Sequence, residues 1–240
     1  MKYHRFIIST SFKLGEQITL YDRTLVHQLS RVLRLKNGDK IIIADGKGLE
    51  GICEITQSSK DNYIVSVNKL LKSKKEYTTP VVLYASIVKR ENFEFIVEKV
   101  TEIGVSEIIP IISERTVKLN IKLERAQTIA REASEQSGRG MVPIVREPKK
   151  LETAIISAKQ RGGDIVVFDP SAEKSFKSIS FNKKKKPIHI FIGPEGGWSE
   201  TELFSMKHNG SLMVHLEGFI LRAETAAIVT SALVTYRLSE

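Results

Sequence analysis

Ile190-Phe191-Ile192-Gly193-Pro194-Glu195-Gly196-Gly197-Trp198-Ser199-Glu200-Thr201-Glu202 is the stretch on which the reading of this 240-residue chain turns. An apolar run that suits a buried strand enters a glycine-rich turn. Ser199 and Glu202 then stand three apart, the spacing of a capping box, so a helix starts here. A turn from strand to helix lies at the carboxyl end of the strand, where open α/β sheets bind their ligands. Three glycines let backbone groups approach a flat ligand closely. The stretch has no lysine or arginine from Phe191 to Glu202 and three carboxylates, Glu195, Glu200 and Glu202. Polyphosphate would be repelled there, whereas neutral adenosine or a cationic sulfonium is better tolerated.

Outward from this stretch, strand and helix patterns alternate. Strands are predicted at 81–87, 107–112, 165–168, 188–192 and 212–216, and helices at 92–103, 123–137, 151–160, 200–208 and 223–238. Such alternation argues for an α/β domain, a parallel sheet covered by helices on both faces. In the first of these helices Phe93, Ile96, Val97, Val100 and Ile103 recur every three or four residues, and Gly104 stands where a left-handed cap would close it. The segment His215-Leu216-Glu217-Gly218-Phe219-Ile220-Leu221-Arg222-Ala223-Glu224-Thr225-Ala226 repeats the layout of strand, glycine turn and helix start. The two turns are expected to be neighbours, with Arg222, Glu224 and Thr225 offering a cation, a carboxylate and a hydroxyl within one helical turn.

The front of the chain is of another kind. Short strands are predicted at 3–8, 40–44, 50–56 and 63–67 around one helix at 26–34, where Leu29, Val32 and Leu33 form an apolar stripe and Arg31 and Arg34 stand off it. Residues 1–72 carry twelve Lys and Arg against seven Asp and Glu, so the basic bias of the chain, 37 against 28 overall, leans forward. A net charge of +9 favours an anionic partner such as nucleic acid. The polar run Lys72-Ser73-Lys74-Lys75-Glu76-Tyr77-Thr78-Thr79-Pro80 suits a linker, which divides the chain into 1–72 and 73–240. The run Lys183-Lys184-Lys185-Lys186 reads as a solvated loop rather than an RNA contact.

Other chemistries find little support. Gly46-Lys47-Gly48-Leu49-Glu50-Gly51 matches a dinucleotide fingerprint, but an alternating strand follows it instead of a helix, so it reads as a hairpin. The five histidines show no metal-ligand spacing, and Cys53 is the one cysteine, so no intramolecular disulfide is possible and no metal is expected. No signal peptide or membrane span is expected, and the cytoplasm is the expected compartment.

The pair Ile192-Gly193-Pro194-Glu195-Gly196-Gly197-Trp198-Ser199 and Leu221-Arg222-Ala223-Glu224-Thr225-Ala226 resembles the signature of the ribosomal RNA small subunit methyltransferase E family, which belongs to the SPOUT class. Further blocks resemble it too: Glu98-Lys99-Val100-Thr101-Glu102-Ile103-Gly104-Val105, Arg131-Glu132-Ala133-Ser134-Glu135-Gln136-Ser137-Gly138-Arg139 with Pro143, and Val32-Leu33-Arg34-Leu35-Lys36 with Gly38-Asp39. The resemblance implies a PUA-like, β-rich RNA-binding domain at 1–72 and, at 73–240, a methyltransferase domain with a trefoil knot. It implies a homodimer that uses S-adenosylmethionine (SAM) to methylate N3 of a uridine in 16S rRNA of the small ribosomal subunit. On it rest the site assignments. Ile192, Gly193, Pro194, Glu195, Gly196, Gly197, Leu216, Gly218, Leu221, Thr225 and Ala226 would hold SAM, Arg222 and Glu224 would be catalytic, and Arg5, Arg31, Arg34 and Arg139 would bind RNA. Two positions depart from the family pattern: Glu217 stands where glycine is usual and Phe219 where a basic residue is usual. A ribose 2′-O-methyltransferase of the same class is the competing enzyme, disfavoured because its third motif is rich in asparagine and serine. A non-catalytic RNA-binding factor is the competitor of another kind, and it would not retain SAM.

Overall fold

The computed structural model describes residues 3–73, 76–117, 121–181 and 186–239. Lys74 and Lys75 of the expected linker and Lys183, Lys184 and Lys185 of the lysine run lie outside the described residues; Lys186 is exposed. The chain divides into two compact units, Met1–Glu76 with Ser134–Val142, and Tyr77–Ala133 with Pro143–Glu240. The return of Ser134–Val142 to the first unit was not foreseen by a boundary drawn at 72.

The first unit holds β1 (His4–Ile7), β2 (Gln17–Leu20), α1 (Arg23–His27), β3 (Lys40–Ala44), β4 (Leu49–Ser58) and β5 (Tyr63–Lys72). The five strands form one sheet in the order β1-β3-β4-β5-β2, antiparallel except for the β1–β3 pair. Alternate residues of β3, β4 and β5 point into the core, where Ile41, Ile43, Cys53, Ile55 and Val65 are fully buried. Burial pushes the Cys53 thiol up to about 12, leaving it an inert core residue. The segment Gly46 to Gly51 is a hairpin entry as expected: Asp45 Oδ1 accepts from the Lys47 and Leu49 backbone N–H at 2.7 and 3.0 Å, and β4 follows directly.

The expected stripe at 26–34 needs one correction. After α1 the chain winds as a π-helix over Gln28–Val32. The wider turn keeps Leu29 fully buried but swings Val32 outward to 64% exposure. Arg34 then takes a left-handed φ of 53° that ends the helical segment.

In the second unit β6 (Val81–Ser86), α2 (Arg90–Ile103), β7 (Glu107–Ile112), α3 (Leu123–Ser137, whose residues from Ser134 on belong to the first unit), β8 (Ile144–Val145), β9 (Lys149–Lys150) and α4 (Leu151–Arg161) come first. They are followed by β10 (Asp164–Phe168), β11 (Ile188–Ile192), α5 (Glu200–His208), β12 (Leu212–Val214) and α6 (Ala223–Ser239). Every strand pair is parallel, and the order is β12-β10-β11-β6-β7-β8, with β9 also on β7. All residues of β6 and β11 are buried, as central strands covered on both faces must be. α2 and α6 pack together on one face, while α4 and α5 contribute Leu151, Ala154, Ile155, Ala158 and Met206 to the core of the other.

α2 ends as its sequence dictates. Gly104 adopts φ 109° and its N–H bonds back to the Val100 and Thr101 carbonyls. A Cβ there would also lie 2.5 Å from Tyr77 Cε2, so glycine is required twice over. At the amino end of the sheet Glu107 is 8% exposed. Burial alone would raise its carboxyl, but hydrogen bonds from Arg161 at 2.6 Å and Arg146 at 2.8 Å overcome that and hold it below the usual range.

Candidate active site

The sheet brings the two glycine turns together. β10 lies between β11 and β12, and Phe168 is in register with both Ile192 and Val214. The residues that leave the sheet next, Asp169, Gly193 and His215, therefore emerge side by side at the carboxyl edge. The chain passes outward from β6 through β7 to β8 and then returns on the other side of β6, so this edge lies beside the point where strand order reverses. The loops enclose a cleft of about 760 Å³, within the range of pockets for small molecules and cofactors.

The first wall is the turn after β11. Pro194 is buried, Gly197 donates its N–H to the Pro194 carbonyl at 2.9 Å, and Gly197 needs its φ of 68°. Trp198, 5% exposed, donates from Nε1 to the Phe168 carbonyl at 3.2 Å. Its ring leaves no room at Gly193, where a Cβ would lie 3.0 Å from Cε2. The capping box forms as read: Ser199 and Glu202 exchange side-chain and backbone bonds and start α5. The second wall is the turn after β12, with Gly218 at φ 111° and Arg222 leading into α6, where the Ala226 N–H bonds to the Arg222 carbonyl at 2.8 Å. Phe219 is 95% exposed and does not plug the cleft.

Of the residues assigned to the ligand, Ile192, Gly193, Pro194, Glu195, Gly197, Leu216, Gly218, Leu221 and Ala226 line the cleft, as does Arg222. Gly196, Thr225 and Glu224 do not. Gly196 faces the loop after β7, and the other two lie in the first turn of α6, Thr225 exposed and Glu224 half-buried. Lining residues that the sequence reading missed include Asp169, Pro170, Trp198, His215 and Thr230. The pair Asp169-Pro170, a turn signal at the end of a buried strand, was the available clue. Among the lining side chains the formal charges are Asp169, Glu195, Glu217 and Arg222, a set hostile to polyphosphate and tolerant of a cation. Among the described residues no group of three or more His, Cys, Asp or Glu is placed to hold a metal ion.

Comparison with known proteins decides the family. An RNA methyltransferase domain matches residues 75–235 and an RNA methyltransferase PUA domain matches residues 29–68. The chain is 30% identical over 237 residues to the ribosomal RNA small subunit methyltransferase E of Rickettsia conorii, covering 97% of this chain and 95% of that one. The chain belongs to the ribosomal RNA small subunit methyltransferase E family. The Bacillus subtilis enzyme of that name is also 30% identical, over 88% of this chain and 87% of its own. The Neisseria gonorrhoeae methyltransferase E, solved with bound SAM, superposes with a TM-score of 0.89 at 28% identity over 98% of both chains. A Legionella pneumophila protein solved with SAM gives 0.87 at 25% identity, again over 98% of both.

Within this methyltransferase E fold the two departures from the family pattern have different surroundings. Glu217 accepts a hydrogen bond from the Ser175 hydroxyl and sits 3.5 Å from Lys177 Nζ. The Ser175 bond, first among several causes, holds its carboxyl below the usual range. The segment it grips is fixed in turn, since Arg237 stacks on Phe176 at 4.2 Å and bonds to the Phe176 and Ile179 carbonyls. Phe219, by contrast, projects outward and is almost fully exposed.

The four arginines assigned to RNA also divide. Arg31 and Arg34 are exposed on the first unit. Arg5 is paired with Glu50 at 2.8 Å, and Arg139, 5% exposed, grips Glu76 through Nη2 at 2.8 Å and Nε at 3.2 Å. The bidentate geometry uses the Arg139 guanidinium to tie Ser134–Val142 to Glu76 within the first unit.

Proposed function

We propose that the protein transfers the methyl group of SAM to N3 of a uridine in 16S rRNA of the small ribosomal subunit. The observation that carries this reading is the cleft in which both glycine turns meet, with Arg222 the one arginine that lines it among the described residues. Its volume, its glycine backbone and its excess of carboxylates fit an adenosyl group with a sulfonium. Ile192, Gly193, Pro194, Glu195, Gly197, Leu216, Gly218, Leu221 and Ala226 would hold SAM, with Gly196 and Thr225 acting from outside the lining.

SAM supplies an electrophilic methyl carbon. Uracil N3 carries a proton at neutral pH, so nitrogen attacks in line only as that proton leaves. The new N–C bond forms as the C–S bond breaks and its electron pair stays on sulfur. Arg222 stabilises the negative charge that develops on the uracil carbonyls. Glu224, one residue beyond the lining in the same helical turn, orients Arg222 or takes the proton. Holding the two reactants together supplies much of the acceleration.

RNA is engaged by the exposed Arg31 and Arg34, while Arg5 and Arg139 act indirectly by fixing the first unit. The functional form is a homodimer in the cytoplasm. Supporting the dimer are Phe219, Ile220, Leu233 and Tyr236, exposed at 95%, 84%, 38% and 66%, a concentration of apolar surface that suits burial against a second copy. Among the described residues no helix is long and apolar enough to cross a membrane.

The test is incubation of unmodified small subunits with the protein and methyl-labelled SAM, followed by nucleoside digestion. The label is expected in 3-methyluridine. Label in a ribose-methylated nucleoside, or none at all, rejects the reading.

A further inference from the structure

Gly196 is the glycine of the first turn that does not reach the cleft, and its surroundings explain why it is there. Arg115, in the loop after β7, donates from Nη1 to the Gly196 carbonyl at 2.8 Å. A Cβ on Gly196 would lie 3.3 Å from Arg115 Cβ and 3.4 Å from its Cδ, tighter than ordinary packing. The tight contact is with the base of the side chain, so a methyl there requires the Arg115 backbone or the turn to shift by a few tenths of an ångström.

The loop that presents Arg115 is itself braced. The Thr116 N–H bonds to the Ser113 carbonyl at 3.0 Å, the Ser113 N–H bonds to Thr116 Oγ1 at 2.9 Å, and the two hydroxyls lie 2.8 Å apart. The Glu114 N–H donates to Glu202 Oε1 at 2.7 Å, while Glu202 Oε2 accepts from the Ser199 N–H at 2.9 Å. One carboxylate thus joins this loop to the start of α5, and Arg115 joins it to the turn just before α5.

We propose that Arg115 is a positioning residue for the cofactor turn: from outside the cleft it fixes the Gly196 carbonyl and so presets the backbone of 193–197 to receive SAM. The proposal rests on the reading of the cleft as the SAM site. Arg115 touches neither SAM nor uracil in this scheme, so its contribution falls on cofactor affinity and not on the transfer step. The donor is charged, which strengthens the bond, while the exposure of Arg115 lets water compete. Preorganising a binding loop raises affinity by removing the cost of ordering it on binding.

The experiment is a double-mutant cycle in the full-length chain, with SAM dissociation constants from calorimetry for the wild type, Arg115→Ala, Gly196→Ala and the double variant. Arg115→Ala is expected to weaken SAM binding about 10-fold, raising KM for SAM while kcat at saturating SAM changes by less than about twofold. Arg115→Lys, which keeps a cationic donor, should recover part of the loss. Gly196→Ala should weaken binding to a similar degree alone, yet add little when Arg115 is already alanine, because the Gly196 carbonyl it displaces has then already lost its donor and only the 3.3 Å contact with Cβ is left. Circular dichroism melts of Arg115→Ala and of the milder Arg115→Gln establish that the comparison is between folded proteins. Fully additive losses would overturn the proposal, since Gly196 would then meet SAM directly. So would a fall in kcat with SAM affinity intact. A wild-type chain that binds no SAM overturns the proposal together with the cleft reading, whereas a wild type that binds SAM in an additive cycle overturns the proposal alone.

Discussion

The turn at 193–197 is gripped by the Trp198 ring, by the capping box of α5 and by Arg115, whereas the turn at 216–222 shows solvent Phe219 at 95% and Ile220 at 84% exposure and, among the described residues, is latched by Glu217 on Ser175 and Lys177. The first wall is finished within one chain. The second presents apolar side chains that water does not favour, and it also carries Arg222. Under the proposed function, the difference places cofactor recognition on the preset first wall and leaves the second wall open for the proposed second copy and RNA.

That contrast can be broken in several places. Replacing Arg222 by alanine should cost about 10²-fold or more in kcat, with SAM affinity within about threefold of wild type. Steady-state kinetics with calorimetry checks this, and near-normal turnover would remove Arg222 from catalysis. On the first wall, Gly193→Ala forces a methyl against the Trp198 ring. Overpacking of this kind costs about 1–3 kcal/mol, so SAM affinity should fall about 10-fold. Trp198 is the one tryptophan of the chain, so its emission reports both the displaced ring and the lost quenching by SAM.

A smaller effect is expected from Phe219→Ser combined with Ile220→Ser. The dimer should weaken, seen as a lower average mass in sedimentation at micromolar concentration, while the melting temperature of the separated chain stays close to that of the parent. An unchanged mass would remove this surface as the proposed dimer interface. The smallest effect belongs to Glu217→Gly, which restores the residue usual in the family. An exposed ion pair contributes little, so SAM affinity should change by less than about threefold. The latch also has a pH signature. Because the Ser175 hydrogen bond holds the Glu217 carboxyl below the ordinary carboxylate range in the fold, its contribution is fully present above that range and disappears only as the pH falls through the lowered value. The protection of the 216–218 amides, taken relative to the intrinsic exchange rate at each pH, should therefore stay constant at neutral pH and fall only below the ordinary carboxylate range.

Much of this was legible in the sequence for identifiable reasons. β6 and β11 read as strands because a sheet covered on both faces needs uninterrupted apolar runs, and α2 read as a helix because its stripe and Gly104 are local signals. The neighbourhood of the two glycine turns was inferable from their repeated layout. What stayed hidden depends on contacts distant in sequence. Arg115 reaches Gly196 across 81 residues, and nothing near either position announces it. Arg139 was assigned to RNA through the family resemblance of its block, and its bond to Glu76, 63 residues away, has no local signal. Val32 was misplaced because a π-helical turn has no sequence period that α-helical spacing would reveal. β2, whose Gln17-Ile18-Thr19-Leu20 offers only two apolar residues and pairs with β5 more than forty residues away, was missed.

The most direct measurement is hydrogen–deuterium exchange of the full chain with and without saturating SAM. Expected is simultaneous slowing of amide exchange in two separate segments, 193–198 and 216–222, with β1 to β5 unchanged. Slowing confined to one of the two turns, or appearing only in the first unit, would contradict the claim that both turns close on one cofactor.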